Sequence, residues 1–133
     1  MPSSIQVQKT ITVGKSSTIE SPSPCTHYSV VFEDDGKTGY FYGLDKSKGD
    51  DPICDALQVY NVAAVADRDT PSVVQIAWSH DGLKAVLVIN RYPHAIFDFQ
   101  AKRAYCRTNF PAPDRRWTAF GHEWEDSALN LFK

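Results

Sequence analysis

The chain has 133 residues, of which 42% are hydrophobic and 23% are charged, and its formal net charge is −2. This composition is typical of an ordinary globular domain with enough chain for one core. The charge argues against nucleic acid as a partner, because phosphate binding depends on clustered Lys and Arg. No apolar run approaches the ~20 residues that cross a bilayer, and the N-terminus lacks the charged start and apolar block of a signal peptide. We therefore expect one cytoplasmic domain over residues 1–133 and no membrane partner.

The first 20 residues predict an edge strand or arm that is loosely held by the rest of the domain. Ile5, Val7, Ile11 and Val13 alternate with polar residues, which is the pattern of a half-buried strand. Residues 27–45 predict a hairpin, because β-branched and aromatic runs flank the turn sequence EDDGKTG.

A helix start is indicated at Asp51 and Pro52. Aspartate is a preferred N-cap and proline fits the first helical position, so we predict a short helix near residues 52–57. Over residues 57–66 a continued helix and a strand both fit the pattern, and a short helix followed by a strand is preferred.

Residues 72–107 predict a meander of up-and-down strands with the sequences SVVQIAWS, LKAVLVIN, HAIFDF and AYCR. The turns HDG, RYP and QAKR separate them. The strand LKAVLVIN is apolar on both faces and therefore belongs in the middle of a sheet. We expect the meander to build the interior and the ionisable groups to lie at turns and margins.

The sequence HEWEDSALNLF predicts a C-terminal helix near residues 122–132. Trp124, Ala128 and Leu131 follow the i, i+4, i+7 spacing and form one apolar stripe that can pack on a sheet. The elements together predict an α+β fold with a mainly antiparallel sheet.

The candidates for catalysis are polar residues of the meander and of the C-terminal segment. His94 and Asp98 share a face of one strand, but two strand steps separate them by roughly 13 Å. That distance is too long for the carboxylate to orient the imidazole, so both are interpreted first as structural residues. The alternative is a small enzyme whose site is assembled from His94, Asp98, Asn90, His122 and Arg107.

Metal and cofactor sites are not expected. The four histidines match no ligand spacing, and the chain has no glycine-rich phosphate-binding motif. Cys25, Cys54 and Cys106 are odd in number without C-x-x-C spacing, which indicates free thiols in a reducing compartment.

Two groups of charged residues are candidates for binding a protein partner. Arginines and aromatic rings cluster toward the C-terminus, where they can contact acidic groups or another protein. The N-terminal half is acidic and can select a basic partner. The predicted contact residues are Arg103, Arg107, Arg115, Arg116, Trp117, Asp34 and Asp35.

Four stretches carry a resemblance to a known family: VVFEDDGKTGYFYGLD, ICDALQVYNV, VQIAWSHDGLKAVLVINRYPHAIFDF and YCRTNFP. Over about residues 20–130 the chain resembles a family of small bacterial proteins known only as a domain of unknown function. The resemblance implies a bacterial origin and supplies no catalytic residue. In size, acidity and lack of catalytic motifs the chain is also similar to immunity proteins of bacterial toxin systems. We therefore expect a non-catalytic protein-binding module, such as an immunity-like inhibitor.

Overall fold

The computed structural model describes residues 4–133, which form two antiparallel sheets. The five-stranded sheet has the order β1-β6-β7-β8-β9, and the four-stranded sheet has the order β2-β3-β4-β5. The strands are β1 (Ser4–Ile11), β2 (Ser17–Pro22), β3 (Tyr28–Asp34), β4 (Thr38–Asp45), β5 (Ile53–Asn61), β6 (Ser72–Trp78), β7 (Lys84–Ile89), β8 (Tyr92–Asp98) and β9 (Arg103–Cys106). Three short 3₁₀ helices lie at Lys46–Lys48, Val62–Ala64 and Asp126–Phe132.

The two sheets pack face to face around the main core. The Phe41 ring of β4 lies 5.4 Å from the Phe97 ring of β8, so an aromatic contact joins the sheets. A Cβ atom added to Gly43 would lie 2.7 Å from the Phe97 ring. The absence of a side chain at Gly43 therefore lets the sheets approach each other at this contact.

The predicted hairpin and meander are confirmed. Strands β3 and β4 pair as the hairpin, and β6 to β9 pair consecutively as the meander. The predicted central strand is β7, the third of five. Its residues Ala85, Leu87 and Ile89 face the main core, while Val86 and Val88 face the opposite side of the sheet.

The predicted helix near residues 52–57 is wrong, because these residues begin strand β5. The carbonyl of Pro52 accepts a hydrogen bond of 2.8 Å from the Asp45 amide N–H, and Leu57 pairs with Phe41 in the core. Burial of this alternating strand against β4 outweighs the local capping signal of Asp51 and Pro52. The strand preferred for residues 57–66 is confirmed as far as Asn61.

The predicted C-terminal helix is shorter and tighter than expected. His122 and Glu123 are extended beside β9, where Cys106 forms a bridge with Glu123, and the 3₁₀ helix begins only at Asp126. Its apolar side still packs on the outer face of the five-stranded sheet, with Ala128 and Phe132 buried. Residues 4–133 contain no α-helix, so the predicted α+β class is corrected to a mainly β fold.

The N-terminal segment supplies an edge strand to each sheet. Strand β1 pairs with β6, and β2 pairs with β3. Within the predicted arm over residues 1–20, Ser4–Ile11 is paired with β6 and the residues from Ser17 are paired with β3, while residues 1–3 lie outside the described residues. Within residues 4–133, no helix has the length and apolar character needed to cross a bilayer.

Candidate functional site

A buried histidine–aspartate pair joins the C-terminal segment to the four-stranded sheet. The Nε2 atom of His122 lies 2.7 Å from Oδ2 of Asp55, and its Nδ1 atom lies 2.7 Å from the Pro111 carbonyl oxygen. The imidazole is fully buried and the Asp55 side chain is 4% exposed. Because a carbonyl only accepts, Nδ1 carries a hydrogen, and a further hydrogen lies between Nε2 and the carboxylate.

The second oxygen of Asp55 is also occupied. Its Oδ1 atom accepts hydrogen bonds from the amide N–H groups of Ala56 at 2.9 Å and Asp114 at 3.2 Å. The pair is therefore saturated and closed to solvent, and it acts as a cross-link between distant segments. The expectation that ionisable groups stay at turns and margins is wrong here. Recognising β5 as a strand would have predicted the burial of Asp55, since every second residue of a strand shares a face and Asp55 then points inward with Leu57 and Val59.

The predicted catalytic candidates do not gather in one place. The His94 carbonyl accepts a hydrogen bond of 3.2 Å from the Arg107 amide N–H, so these two residues are neighbours. His122 instead contacts Asp55 and Pro111. Among the described residues, no side-chain hydrogen bond or ion pair joins His94, Asp98 and His122.

Asn90 and Asp98 have structural roles in turns. The Asn90 side chain accepts a hydrogen bond from the Val73 amide N–H at 2.9 Å. The Asp98 carboxylate accepts one from the Ala101 amide N–H at 3.0 Å. Burial, and then the nearby Arg107 guanidinium, lower the pKa of His94 to about 4, so its imidazole is neutral at pH 7.

Arginine side chains stack on aromatic rings along β9 and the C-terminal segment. The Arg107 guanidinium carbon lies 4.3 Å from the Tyr92 ring centroid and 4.0 Å from that of Trp124. The Arg103 guanidinium carbon lies 4.9 Å from the Tyr105 ring and 4.7 Å from the Phe120 ring. We name these six residues the arginine–aromatic strip.

An acidic residue lies beside each cation of the arginine–aromatic strip. Arg103 forms an ion pair of 3.2 Å with Glu125, and Arg107 lies 3.9 Å from Asp126. The Nε–H of Arg107 also donates to the Pro93 carbonyl at 2.9 Å. The Nε–H of Arg103 is buried and has no acceptor in the part of the chain that the structure describes.

The other predicted contact residues are not part of the arginine–aromatic strip. Trp117 is buried in the main core beside Phe97. Arg116 forms an ion pair of 2.9 Å with Asp114, and Arg115 is exposed nearby in the sequence. The predicted basic cluster is therefore divided, because Trp117 turns inward between the sheets.

The predicted acidic surface is also reduced. Asp34 is 1% exposed, and its carboxylate accepts hydrogen bonds from Tyr60 Oη at 2.7 Å and from the Gly14 and Gly36 amides at 2.8 Å. Asp35 is exposed and accepts from the Lys37 and Thr38 amides in the β3–β4 turn. Asp45 and Asp55 are buried as well, so several acidic residues of the N-terminal half hold turns or lie in the core.

The profile of one protein family matches residues 11–133, nearly the whole chain. The chain belongs to the DUF2251 family. This family is described as an uncharacterized protein conserved in bacteria, so the resemblance to a bacterial domain of unknown function is confirmed. A relative from Haemophilus influenzae, itself named an uncharacterized protein, is 45% identical over 94 residues. The match covers 69% of this chain and 58% of that relative's length. No solved structure matches the chain.

The thiols of this DUF2251 protein are free, as predicted, with Cys25 exposed and Cys54 and Cys106 buried. Burial raises the pKa of Cys54 to about 11, so this thiol is protonated and a poor nucleophile at pH 7. Within residues 4–133, no group of three or more His, Cys, Asp or Glu side chains is arranged to hold a metal ion.

Proposed function

We propose that this DUF2251 protein is a non-catalytic protein-binding module whose contact surface is the arginine–aromatic strip. The observation that carries the proposal is the fixing of two guanidinium groups between aromatic rings. One ring in each group remains open to solvent, with Tyr92 51% and Phe120 45% exposed. Tyr, Trp and Arg are the residues that dominate the binding energy of protein interfaces.

Rigidity of the arginine–aromatic strip supports this proposal. Before a partner arrives, Arg103 is held by stacking and its ion pair with Glu125. Arg107 is held by stacking and its hydrogen bond to the Pro93 carbonyl. Fewer side-chain rotamers are then lost on binding, which favours affinity. The covering C-terminal segment is itself packed on the sheet through Ala128 and Phe132, so the surface has a firm support.

The charges of the arginine–aromatic strip indicate the kind of partner. Glu125 and Asp126 already face the two arginines, so the surface is nearly neutral and presents exposed aromatic rings. It fits a protein surface of apolar and hydrogen-bonding groups better than a polyanion such as nucleic acid. The free thiols support work in the reducing cytoplasm.

The immunity-like inhibitor is the narrower form of the proposal. It requires that the partner is a toxin, and a toxin gene beside the gene of this protein would support it. The enzyme alternative has weaker support. Of the described candidate residues, His122 is fully buried and saturated by hydrogen bonds, while Asn90 and Asp98 hold turns.

Differential capture of a partner tests the proposal. The full chain is immobilised and used to capture proteins from the source bacterium, in parallel with the double variant Tyr92→Ala/Phe120→Ala. The matched control is Ile53→Ala/Phe110→Ala, which removes two side chains that are 49% and 53% exposed outside the arginine–aromatic strip. We expect the partner to bind the parent and the control, and to bind the strip variant at least ~30-fold more weakly.

Equal binding of the partner by the strip variant would contradict the proposed surface. A product of a neighbouring gene is tested in the same way after co-expression, and binding lost only in the strip variant would support the inhibitor form. Folding of each variant is checked by circular dichroism, so that a lost interaction is not confused with a lost fold.

A further inference from the structure

A groove with polar and apolar lining residues lies on the five-stranded sheet, at the edge formed by β1 and β6. It shares no residue with the arginine–aromatic strip. Its cavity volume is about 480 Å³, and it is lined by Gln8, Val73, Gln75, Asn90 and Arg91. Gln8 of β1 and Gln75 of β6 lie opposite each other in register. Asn90 and Arg91 form the turn between β7 and β8.

The amide side chains of this groove form hydrogen bonds and still have free hydrogen-bonding capacity. The Gln75 Nε2 group donates to Gln8 Oε1 at 2.6 Å, which leaves the NH₂ group of Gln8 and the carbonyl of Gln75 for another molecule. Asn90 is held by the Val73 amide at 2.9 Å and by Ser72 Oγ at 3.3 Å. The groove therefore offers hydrogen-bond donors and an acceptor.

Arg91 is the charged member of the lining set, and its backbone is strained. Asn90 and Arg91 have φ angles of 51° and 68°, the consecutive left-handed conformation of a two-residue hairpin turn. Asparagine tolerates this conformation, whereas glycine is favoured over arginine at the second position. Arg91 is exposed and forms no ion pair with any residue that the structure describes.

Positive φ alone does not mark a site, because Lys102 in the β8–β9 turn has a φ of 53°. Lys102 does not line the groove. What distinguishes Arg91 is the combination of an unfavourable backbone position with a cation that lines a cavity together with amide side chains.

We propose that this groove binds a carboxylate of a peptide, with Arg91 as its anion-binding residue. The guanidinium pairs with both carboxylate oxygens. The Gln8 NH₂ group and the Gln75 carbonyl then pair with the peptide C=O and N–H groups beside it. A single cation with neutral amides suits a monoanion better than a doubly charged phosphate. This inference is independent of the proposed function, because the groove and the arginine–aromatic strip share no residue.

Titration followed by nuclear magnetic resonance tests the groove with the full chain. The probes are a blocked alanine peptide with one central glutamate, an acetylated alanine peptide with a free C-terminus, the blocked peptide with glutamine in place of glutamate, and inorganic phosphate. We expect the side-chain NH₂ signals of Gln8 and Asn90 to shift with a carboxylate peptide, at dissociation constants of about 1–10 mM. Comparison of the first two probes shows whether a side-chain or a terminal carboxylate is the ligand.

The variant Arg91→Gly and its matched control Lys102→Gly separate binding from folding. Each removes a left-handed non-glycine residue, so each should raise the melting temperature by about 3 °C. Only Arg91→Gly should weaken peptide binding, by at least about tenfold. Arg91→Gly binding as tightly as the parent would overturn the proposal. So would phosphate or the blocked glutamine peptide binding as well as the tighter of the two carboxylate peptides, or no shift with any carboxylate probe.

Discussion

His122 and Asp55 are sixty-seven positions apart in the sequence yet share a hydrogen bond inside the molecule. Each charge or polar group of such a pair is expensive to bury alone, so removal of one partner harms the fold more than the pair itself stabilises it. The imidazole and the carboxylate are therefore best understood as one unit that fixes β5 to the C-terminal segment.

Removal of either member of this pair should be strongly destabilising. We expect His122→Gln and Asp55→Asn each to lower the free energy of unfolding by about 3–5 kcal/mol, because the remaining partner is left buried without its counterpart. Urea unfolding measures the effect. The matched control is His27→Gln, since His27 lies 3.4 Å from Asp45 but its side chain is 53% exposed. That change should alter stability by less than about 1 kcal/mol, and equal losses at both sites would contradict this account.

His94 should make the folded protein less stable as the pH falls. Burial and the Arg107 charge lower its pKa from 6.5 to about 4, so the unfolded chain binds a proton that the folded chain excludes between these two values. Stability should be full above about pH 6.5 and fall by about 1–3 kcal/mol as the pH drops toward 4. Urea midpoints across this range measure the fall, which His94→Gln should make shallower. An unchanged slope in the variant would contradict the assignment.

The contact between Gly43 of β4 and Phe97 of β8 sets the spacing of the two sheets at this point. A Cβ atom at position 43 would approach the Phe97 ring to 2.7 Å. We expect Gly43→Ala to lower the free energy of unfolding by about 1–3 kcal/mol through overpacking. Adding Phe97→Leu should recover part of that loss, because a smaller side chain makes room. Thermal unfolding of the single and double variants measures this coupling, and purely additive losses would argue against the contact.

Elements of the chain differ in how far the sequence predicts them. The meander from β6 to β9 follows from alternation and turn residues alone, and its central strand follows from apolar residues on both faces. Strand β5 does not follow from the sequence pattern, because Asp51 and Pro52 carry a local helix signal that pairing with β4 overrides. At the C-terminus, the bridge between Cys106 and Glu123 takes the residues of the expected first helical turn.

The candidate sites show a similar limit. Sequence alone indicates that Arg103 and Arg107 lie near aromatic rings, because Tyr105 stands between them. It does not show that Phe120 and Trp124 complete the stacks, since these rings come from a segment whose path depends on tertiary packing. Likewise, an isolated histidine at position 122 has no pattern that points to Asp55.

The whole molecule has one main core that takes side chains from both sheets. Because no separate core lies on the inner face of either sheet within residues 4–133, we expect the two sheets to unfold together. Tryptophan fluorescence follows Trp78 and Trp117 in the main core, and Trp124 reports on the outer surface. The urea midpoint of the fluorescence change should coincide with that of far-ultraviolet circular dichroism. The two midpoints should also coincide in the variant Trp124→Phe, in which only the core tryptophans report. Two separate midpoints would show that the sheets unfold independently.

The late position of His122 has a consequence during protein synthesis. A nascent chain that ends before this residue already contains all nine strands described here. In that chain Asp55 would lack the His122 imidazole, and the C-terminal 3₁₀ helix would not cover the outer side of β7. Such a chain would expose apolar surface, and the Asp55 carboxylate without its His122 partner, to chaperones and proteases. A chain truncated before His122 should thus be degraded faster than one that includes residues 122–133.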